Sequence, residues 1–371
     1  MKALIALDIE PSQRFVDELS KAWDEGDAVL PIDQRLPIEA KKQLINQLNP
    51  THIISSDGRV TLEGGQPVES GDALVVATSG STGTPKGVVL TQESVLASAK
   101  ASSLALDVTF DDHWYSCLPL AHVGGLSVVT RSLLMGTQLT IAPRFDPDEV
   151  ERHSHTCTLI SLVPTALQRI DPRKFRAILL GGSKPPPQRS RNVIATYGLS
   201  ETGSGIVYEG RPLNGVEIQI SDEDEILVRS PMNMRCYRDG SSSIDSDGWL
   251  HTGDVGSLSD EGILSVQGRR GDVIVTGSEK VWPEVVEMAI ASLFEPQQFA
   301  VIGLPDAEWG ERVVVATTRT DVSFEQLKDL VLRTLPNYCV PKSIHIVDSI
   351  PQTAIGKIRR NEIRQRLSTN E

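Results

Sequence analysis

Residues 78 to 87 read TSGSTGTPKG, a run that opens at Thr78 and packs the hydroxyls of Ser79, Ser81, Thr82 and Thr84 with Gly80, Gly83 and Gly87 around one cation, Lys86. Glycines admit backbone N–H groups close to an anion, hydroxyls add donors and an ammonium adds charge, so the run can hold a polyphosphate. Val75 and Val76 precede it and Val88, Val89 and Leu90 follow, which predicts strand, loop, strand. A solvated Gly/Ser linker has similar composition. Apolar β-branched flanks and an embedded Pro-Lys-Gly are features of an ordered turn instead. The loop is not a P-loop, because Pro85 stands where that pattern needs its second glycine.

Other residues able to do chemistry are spread along the chain. Glu201 lies in YGLSET at 197 to 202, with Tyr197, Gly198 and Ser200; Gly181, Gly182 and Ser183 precede it. Asp254 ends GWLHTGD, Arg269 lies in GRRGD, and Lys357 lies in PQTAIGKIRR. Each has a plainer reading. A lone glutamate is usually a surface residue, Gly-Asp is most often a turn former, and a lysine near Arg359 and Arg360 suits a solvated basic face. His122, in LPLAHVGGLS, fits a buried structural histidine as well as a site residue.

The elements that must carry these residues are layered. Helical patterns at PSQRFVDELSKAW and PIEAKKQLINQL mix with strands at Lys2 to Leu7 and His52 to Ser55. Strands at 73 to 77 and 87 to 90 flank the loop, and a helix follows with Thr91 as its N-cap. Apolar segments at 128 to 141, 157 to 163 and 176 to 180 alternate with helical stretches, the rhythm of sheets covered by helices. Between 206 and 268 short β segments with many turns take over, and a ββα-like stretch follows GRRGD. The expected fold is therefore α/β: a large, abbreviated N-terminal domain of layered sheets over 1 to 269, and a small, mobile α+β C-terminal domain over 270 to 371.

The 371 residues carry a net charge of -13, which opposes nucleic-acid binding and requires an anionic ligand to be held by local donors. Four cysteines, Cys117, Cys157, Cys236 and Cys339, stand far apart without a CxxC pair, so neither a zinc site nor a disulfide framework is indicated and a reducing cytoplasm fits. The N-terminus reads as a strand rather than a secretory segment, and no window approaches a membrane span.

Taken in order, the loop, Gly181-Gly182, YGLSET, GWLHTGD, GRRGD and PQTAIGKIRR resemble the adenylate-forming superfamily of acyl-CoA synthetases, adenylation domains and luciferases, from about residue 73 to about 360. The resemblance implies ATP, Mg2+ and coenzyme A as ligands, with a small-molecule carboxylic acid as substrate. It implies that the 78 to 84 run and Lys86 hold the β- and γ-phosphates, with Glu201 the Mg2+ ligand and Ser200 in the place of the family's threonine. Tyr197, Gly198 and Gly181 to Ser183 would enclose adenine, Asp254 would take the ribose, and Arg269 would assist at ribose or phosphate. Lys357 would bridge carboxylate and α-phosphate, and His122 would gate the carboxylate as catalytic residues beside Glu201. Gly271 sits at the family's hinge position, where Asp or Lys is more usual, and GSEKVWP at 277 to 283 matches the pantetheine tunnel.

Within that family SLVPTALQR at 161 to 169 and the short length resemble the o-succinylbenzoate:CoA ligases of menaquinone biosynthesis. The alternatives are another aryl- or acyl-CoA ligase, or an adenylation enzyme that loads a carrier protein. A second substrate carboxylate would call for a cation, and Arg131, Arg144 and Arg169 are available. Gly124 and Gly125 would leave room for a ring. The loop starts at residue 78, which leaves little N-terminal subdomain. Either the fold tolerates that loss or a partner chain, in a homodimer, supplies part of the pocket.

Overall fold

The structure is a computed structural model that describes residues 1–79, 85–183, 185–186, 188–277, 279–295, 297–352 and 358–368, the side chain of Ser79 excepted. By compactness the chain forms two units, Met1–Gln219 with Leu227–Thr252, and Ile220–Ile226 with Gly253–Glu371. Sheets and helices alternate, so the class is α/β as the sequence predicts.

The first unit holds two seven-stranded sheets among the described residues. In one, the strands run in the order Cys236–Tyr237, Pro85–Thr91, Asp72–Ser79, Ala28–Pro31, Leu4–Leu7, His52–Ser55, Gly58–Thr61. Leu4–Leu7 pairs in parallel with strands on both sides and every residue of it is buried, which explains its unbroken apolar run LIAL. The helix Gln13–Asp24 buries Phe15, Val16, Leu19 and Ala22, one face of a 3.6-residue period.

In the other sheet the order is Arg211–Pro212, Gly205–Tyr208, Val193–Gly198, Ala177–Leu180, Leu159–Leu162, His113–Ser116, Gln138–Ile141. Its core joins Tyr115, Ile160, Leu162, Ile178, Leu180 and Val193. The apolar segment 128 to 141 divides: a helix Val123–Met135 ends at Gly136, whose φ of 69° closes it, and the strand Gln138–Ile141 follows. Val128, Val129 and Thr130 are β-branched yet helical, because burial of that helix outweighs their weak local preference for strand.

The hairpin that carries the glycine-rich loop is set by its ends. Thr91 caps the helix Gln92–Ala105: its Oγ1 accepts from the Ser94 N–H at 3.1 Å, while Ser94 Oγ accepts from the Thr91 N–H at 3.0 Å. Asp72, only 1% exposed, receives both arms of the Arg235 guanidinium at 2.9 Å each, and Arg235 also donates to Glu69 Oε1 at 2.8 Å. Arg235 immediately precedes Cys236–Tyr237, the strand that pairs with Pro85–Thr91 on the side away from Asp72–Ser79. One ion pair therefore ties three adjacent strands.

In the second unit the sheet runs Glu279–Val281, Ile274–Thr276, Gly310–Thr317, Phe299–Asp306, and Ser343–Ile346 pairs with Gly310–Thr317. Both faces are covered. Val301, Val313 and Val315 join one core with Val286, Ile290 and Leu327, whereas Ala300, Ile302, Val314 and Ala316 join another with Ile363 and Leu367. The alternation of side chains along each strand puts neighbours into opposite cores, which is why FAVIGL and VVVA are apolar throughout. Among the described residues no helix is long and apolar enough to cross a membrane.

If Arg235 holds the three strands as described, Arg235→Leu strands a buried carboxylate and lowers stability by about 3 kcal/mol. Urea unfolding should give that loss, and the double variant Asp72→Leu/Arg235→Leu should recover part of it. A double variant less stable than Arg235→Leu would contradict the assignment.

Candidate active site

Thr78 and Lys86 face each other across the hairpin, in the antiparallel register Thr78↔Lys86. Thr78 Oγ1 donates to the Lys86 carbonyl at 3.4 Å. The Lys86 side chain is exposed, and its Nζ lies 4.6 Å from the ring centroid of Tyr237. A cation over an aromatic face is attracted by the ring quadrupole. The Tyr237 hydroxyl donates to Glu201 Oε1 at 2.9 Å and lies 3.3 Å from Ser243 Oγ. Thus the expected phosphate cation and the expected metal ligand are brought to the same tyrosine, which the sequence alone does not single out. Gly80, Ser81, Thr82, Gly83 and Thr84, the Ser79 side chain, and Lys357 lie outside the described residues.

The turn carrying Glu201 is built to hold one shape. Ser200–Thr202 is a single 3-10 turn after the strand Val193–Gly198. Thr202 is fully buried; its Oγ1 accepts from the Leu199 N–H at 3.0 Å and lies 2.9 Å from the Ser204 carbonyl. Gly198 is required sterically, since a Cβ there would meet the Ser204 carbonyl oxygen at 2.2 Å. The backbone carbonyl of Glu201 accepts from the Met234 N–H at 2.7 Å. Glu201 is half-buried, and among the described residues its carboxylate has Tyr237 as hydrogen-bond partner on Oε1.

The adenine candidates meet at the ends of neighbouring parallel strands. Leu180 pairs with Ala195, so Gly181 follows at the level of Thr196 and Gly182 at that of Tyr197. Thr196 Oγ1 donates to the Leu180 carbonyl at 3.1 Å, and a Cβ on Gly181 would lie 2.9 Å from that hydroxyl oxygen. Gly182 has φ of 86°, a conformation that favours glycine. Tyr197 is half-buried, and Gly182 and Ser183 are exposed beside it. The carboxyl ends of parallel strands are where α/β folds bind ligands.

His122 stands at the N-cap of Val123–Met135, and its buried Nε2 lies 3.4 Å from Asp33 Oδ2. Asp33 is 6% exposed and is gripped by Arg35 through Nε at 2.8 Å and Nη2 at 2.6 Å. Burial opposes the Asp33 charge, but the Arg35 fork and His122 outweigh it and hold the carboxyl well below its usual range. Asp33 and Arg35 were absent from the sequence reading; an acid and a base two residues apart in PIDQR were the signal available.

The pocket cations divide. Arg131 is 2% exposed, donates from Nε to Ser102 Oγ at 2.7 Å and lies 4.9 Å from the Trp114 ring centroid. Burial pushes its pKa down. Arg144 and Arg169 are exposed, and Arg169 lies 5.3 Å from the Phe145 ring centroid. Gly125 serves packing rather than a substrate ring: a Cβ would strike the Leu118 and Pro119 carbonyl oxygens at 2.5 and 2.6 Å. Gly124 is less confined, with Leu118 Cδ1 at 3.6 Å from such a Cβ.

In the second unit Asp254 and Arg269 are register partners across an antiparallel pair. Arg269 Nε lies 2.9 Å from Asp254 Oδ1, so the guanidinium orients a carboxylate that is 6% exposed. Gly277 has φ of 66°, and its N–H donates to the Trp309 carbonyl at 2.6 Å. Trp309 itself is 46% exposed.

The features of the first unit fit a nucleotide site, and the comparisons with known proteins agree. Residues 3–238 match the AMP-binding enzyme family and residues 285–357 match the AMP-binding enzyme C-terminal domain, and the chain belongs to this family. It is 34% identical over 329 residues to the 2-succinylbenzoate–CoA ligase of Listeria monocytogenes, covering 80% of this chain and 70% of that one. The o-succinylbenzoate CoA synthetase of Bacillus subtilis in complex with its acyl-adenylate intermediate superposes with a TM-score of 0.86 at 27% identity, over 98% of this chain and 88% of that one. The same Bacillus subtilis enzyme in complex with ATP and a magnesium ion gives a TM-score of 0.85 at 26% identity, over 97% and 89%.

Because the Asp33 pKa is lowered on folding, its contribution is complete above the ordinary carboxylate range and is lost as pH falls through the folded value. Asp33→Asn should therefore be less stable than the parent in urea at pH 7, and the gap should narrow only as the pH falls below the ordinary carboxylate value of about 4. A gap that persists unchanged in acid would mean the charge is not what stabilises.

Proposed function

We propose that the chain is an ATP-dependent acid:CoA ligase that activates 2-succinylbenzoate as an adenylate and transfers it to coenzyme A. In the first step a carboxylate oxygen of the acid attacks the α-phosphorus of ATP and pyrophosphate leaves. In the second the CoA thiol attacks the acyl carbon, a proton leaves the sulfur and AMP departs. The observation that carries this reading is the 34% identity over 80% of the chain to a 2-succinylbenzoate–CoA ligase. Lys86 and Glu201, gathered on Tyr237, support it from the side of the chemistry.

In this reading catalysis of the first step is positioning and charge neutralisation. Thr78, Ser79, Gly80, Ser81, Thr82, Gly83, Thr84 and Lys86 hold the departing pyrophosphate. Ser200 reaches a phosphate oxygen. Tyr197 and Gly198, with Gly181, Gly182 and Ser183, enclose adenine, while Asp254 and Arg269 hold the ribose. His122 orients the acid's carboxylate, and Asp33 keeps its ring in place. Lys357 bridges the carboxylate and the α-phosphate. Gly271 is the hinge position, so the C-terminal domain over 270 to 371 can withdraw Lys357 before the thiol arrives along the segment at Gly277. The cytoplasm is the compartment, and the four cysteines, all unpaired, suit it.

The residues present fit a magnesium ion. Glu201 offers a carboxylate with one oxygen taken by the Tyr237 hydroxyl and the other, among the described residues, open to a cation. That is the sparse donor set of a Mg2+ shared with substrate phosphates. When bound, Mg2+ neutralises charge on the phosphates.

Pyrophosphate exchange separates the substrates. With a panel of acids, 2-succinylbenzoate should stimulate exchange most, and a thioester should form only when CoA is added. Exchange driven better by an unrelated acid would overturn the substrate; thioester formation on a carrier protein but not on CoA would overturn the acceptor. Lys357→Ala should slow adenylation by at least about 100-fold. The same variant should convert presynthesised acyl-adenylate and CoA to thioester at close to the parent rate.

A further inference from the structure

Tyr237 sits in a two-residue strand that is anchored on both sides. Ahead of it, Arg235 grips the buried Asp72. Behind it, the Arg238 guanidinium donates to the carbonyls of Leu48 at 3.1 Å, Pro67 at 2.9 Å, Asn49 at 3.4 Å and also Gln66. The backbone is pinned as well, with the Arg235 N–H on the Val89 carbonyl at 2.9 Å and the Arg238 N–H on the Gly87 carbonyl at 2.7 Å. A phenol held this firmly is a fixed surface against which mobile charged side chains can be set.

Two opposite charges are set against it. Lys86 Nζ lies over the ring face at 4.6 Å, and Glu201 Oε1 accepts from the ring hydroxyl at 2.9 Å. An exposed lysine and a nearby carboxylate tend to pair directly, and such a pair would occupy both the phosphate cation and the metal ligand. Among the described residues no ion pair joins Lys86 to Glu201; Lys86 meets the ring face and Glu201 the hydroxyl of the same tyrosine. The hydroxyl uses one carboxylate oxygen and leaves the other to a cation.

We propose that Tyr237 is a positioning residue for the first half-reaction: its hydroxyl orients Glu201 toward the divalent cation and its ring face holds Lys86 ready for phosphate, keeping the two from neutralising each other. The proposal rests on the reading of Glu201 as the metal ligand and Lys86 as a phosphate cation.

Four variants of the full chain, Tyr237→Phe, Tyr237→Leu, Glu201→Gln and Lys86→Ala, test both levels. Mn2+ serves as the probe, titrated by its electron paramagnetic resonance signal with a non-hydrolysable ATP analogue present, and binding of that analogue is also measured in EDTA. Tyr237→Phe keeps the ring and loses the hydroxyl, so Mn2+ affinity should fall about tenfold. Its metal-free nucleotide affinity should stay within about twofold of the parent. Tyr237→Leu should lose Mn2+ affinity to the same extent and metal-free nucleotide affinity by a further factor of about three. Lys86→Ala sets the scale of that second loss.

If Glu201→Gln loses Mn2+ and Tyr237→Phe does not, Tyr237 is not the positioning residue, although Glu201 keeps its role. If Glu201→Gln itself retains the parent's Mn2+ affinity, the metal reading fails and takes this proposal with it. A merely structural tyrosine would lower the thermal midpoint of Tyr237→Phe and leave its Mn2+ titration unchanged, which also overturns the proposal.

Discussion

Asp72 is a charged residue 1% exposed, and a carboxylate so placed is tolerable only with a partner that meets both oxygens. Arg235 is that partner, with two hydrogen bonds of 2.9 Å. Because Asp72 opens the strand that leads into the glycine-rich run and Arg235 precedes the strand at the sheet edge, this pair ties together the three strands that carry Thr78, Lys86 and Tyr237. Lys86, Tyr237 and Glu201 inherit their positions from it. A weaker tie would leave the Lys86 ammonium and the Glu201 carboxylate less firmly placed against Tyr237.

The turn that carries Glu201 depends on a different constraint, close backbone approach. Gly198 lets the chain turn against Ser204, where any side chain would collide, and the buried Thr202 hydroxyl then satisfies the turn's polar groups. The result is a glutamate whose backbone is held by hydrogen bonds while its side chain is half-exposed. Such an arrangement preorganises charge without burying it, which avoids the large desolvation penalty of an interior carboxylate. Asp33 shows the opposite solution: it is buried, and a planar guanidinium offsets the desolvation.

The second unit contributes through a sheet covered on both faces. Successive residues of Phe299–Asp306 and Gly310–Thr317 enter alternate cores, so the unit has two apolar layers within a short chain. Its ion pair of Asp254 and Arg269 lies on a separate antiparallel pair, where strand register alone brings acid and base side by side.

Much of this was legible in the chain before any coordinates. The strand, loop, strand pattern, the Thr91 cap, the strand at His52 to Ser55 and the order of the motifs are local: each is written in consecutive residues whose backbone preferences and polarity agree. The segment 128 to 141 was not, because burial made its β-branched half helical. Tyr237 was not, because its meaning comes from Glu201, 36 residues away, and its anchor from Asp72, 163 residues from Arg235. Nor does the sequence show that Gly125 yields to two carbonyl oxygens, or that Arg131 is interior while Arg144 and Arg169 are exposed. Consecutive residues specify which groups can do chemistry, since type and spacing are local properties. Which groups meet is set by long-range packing, where a buried charge accepts only the one partner the fold delivers to it.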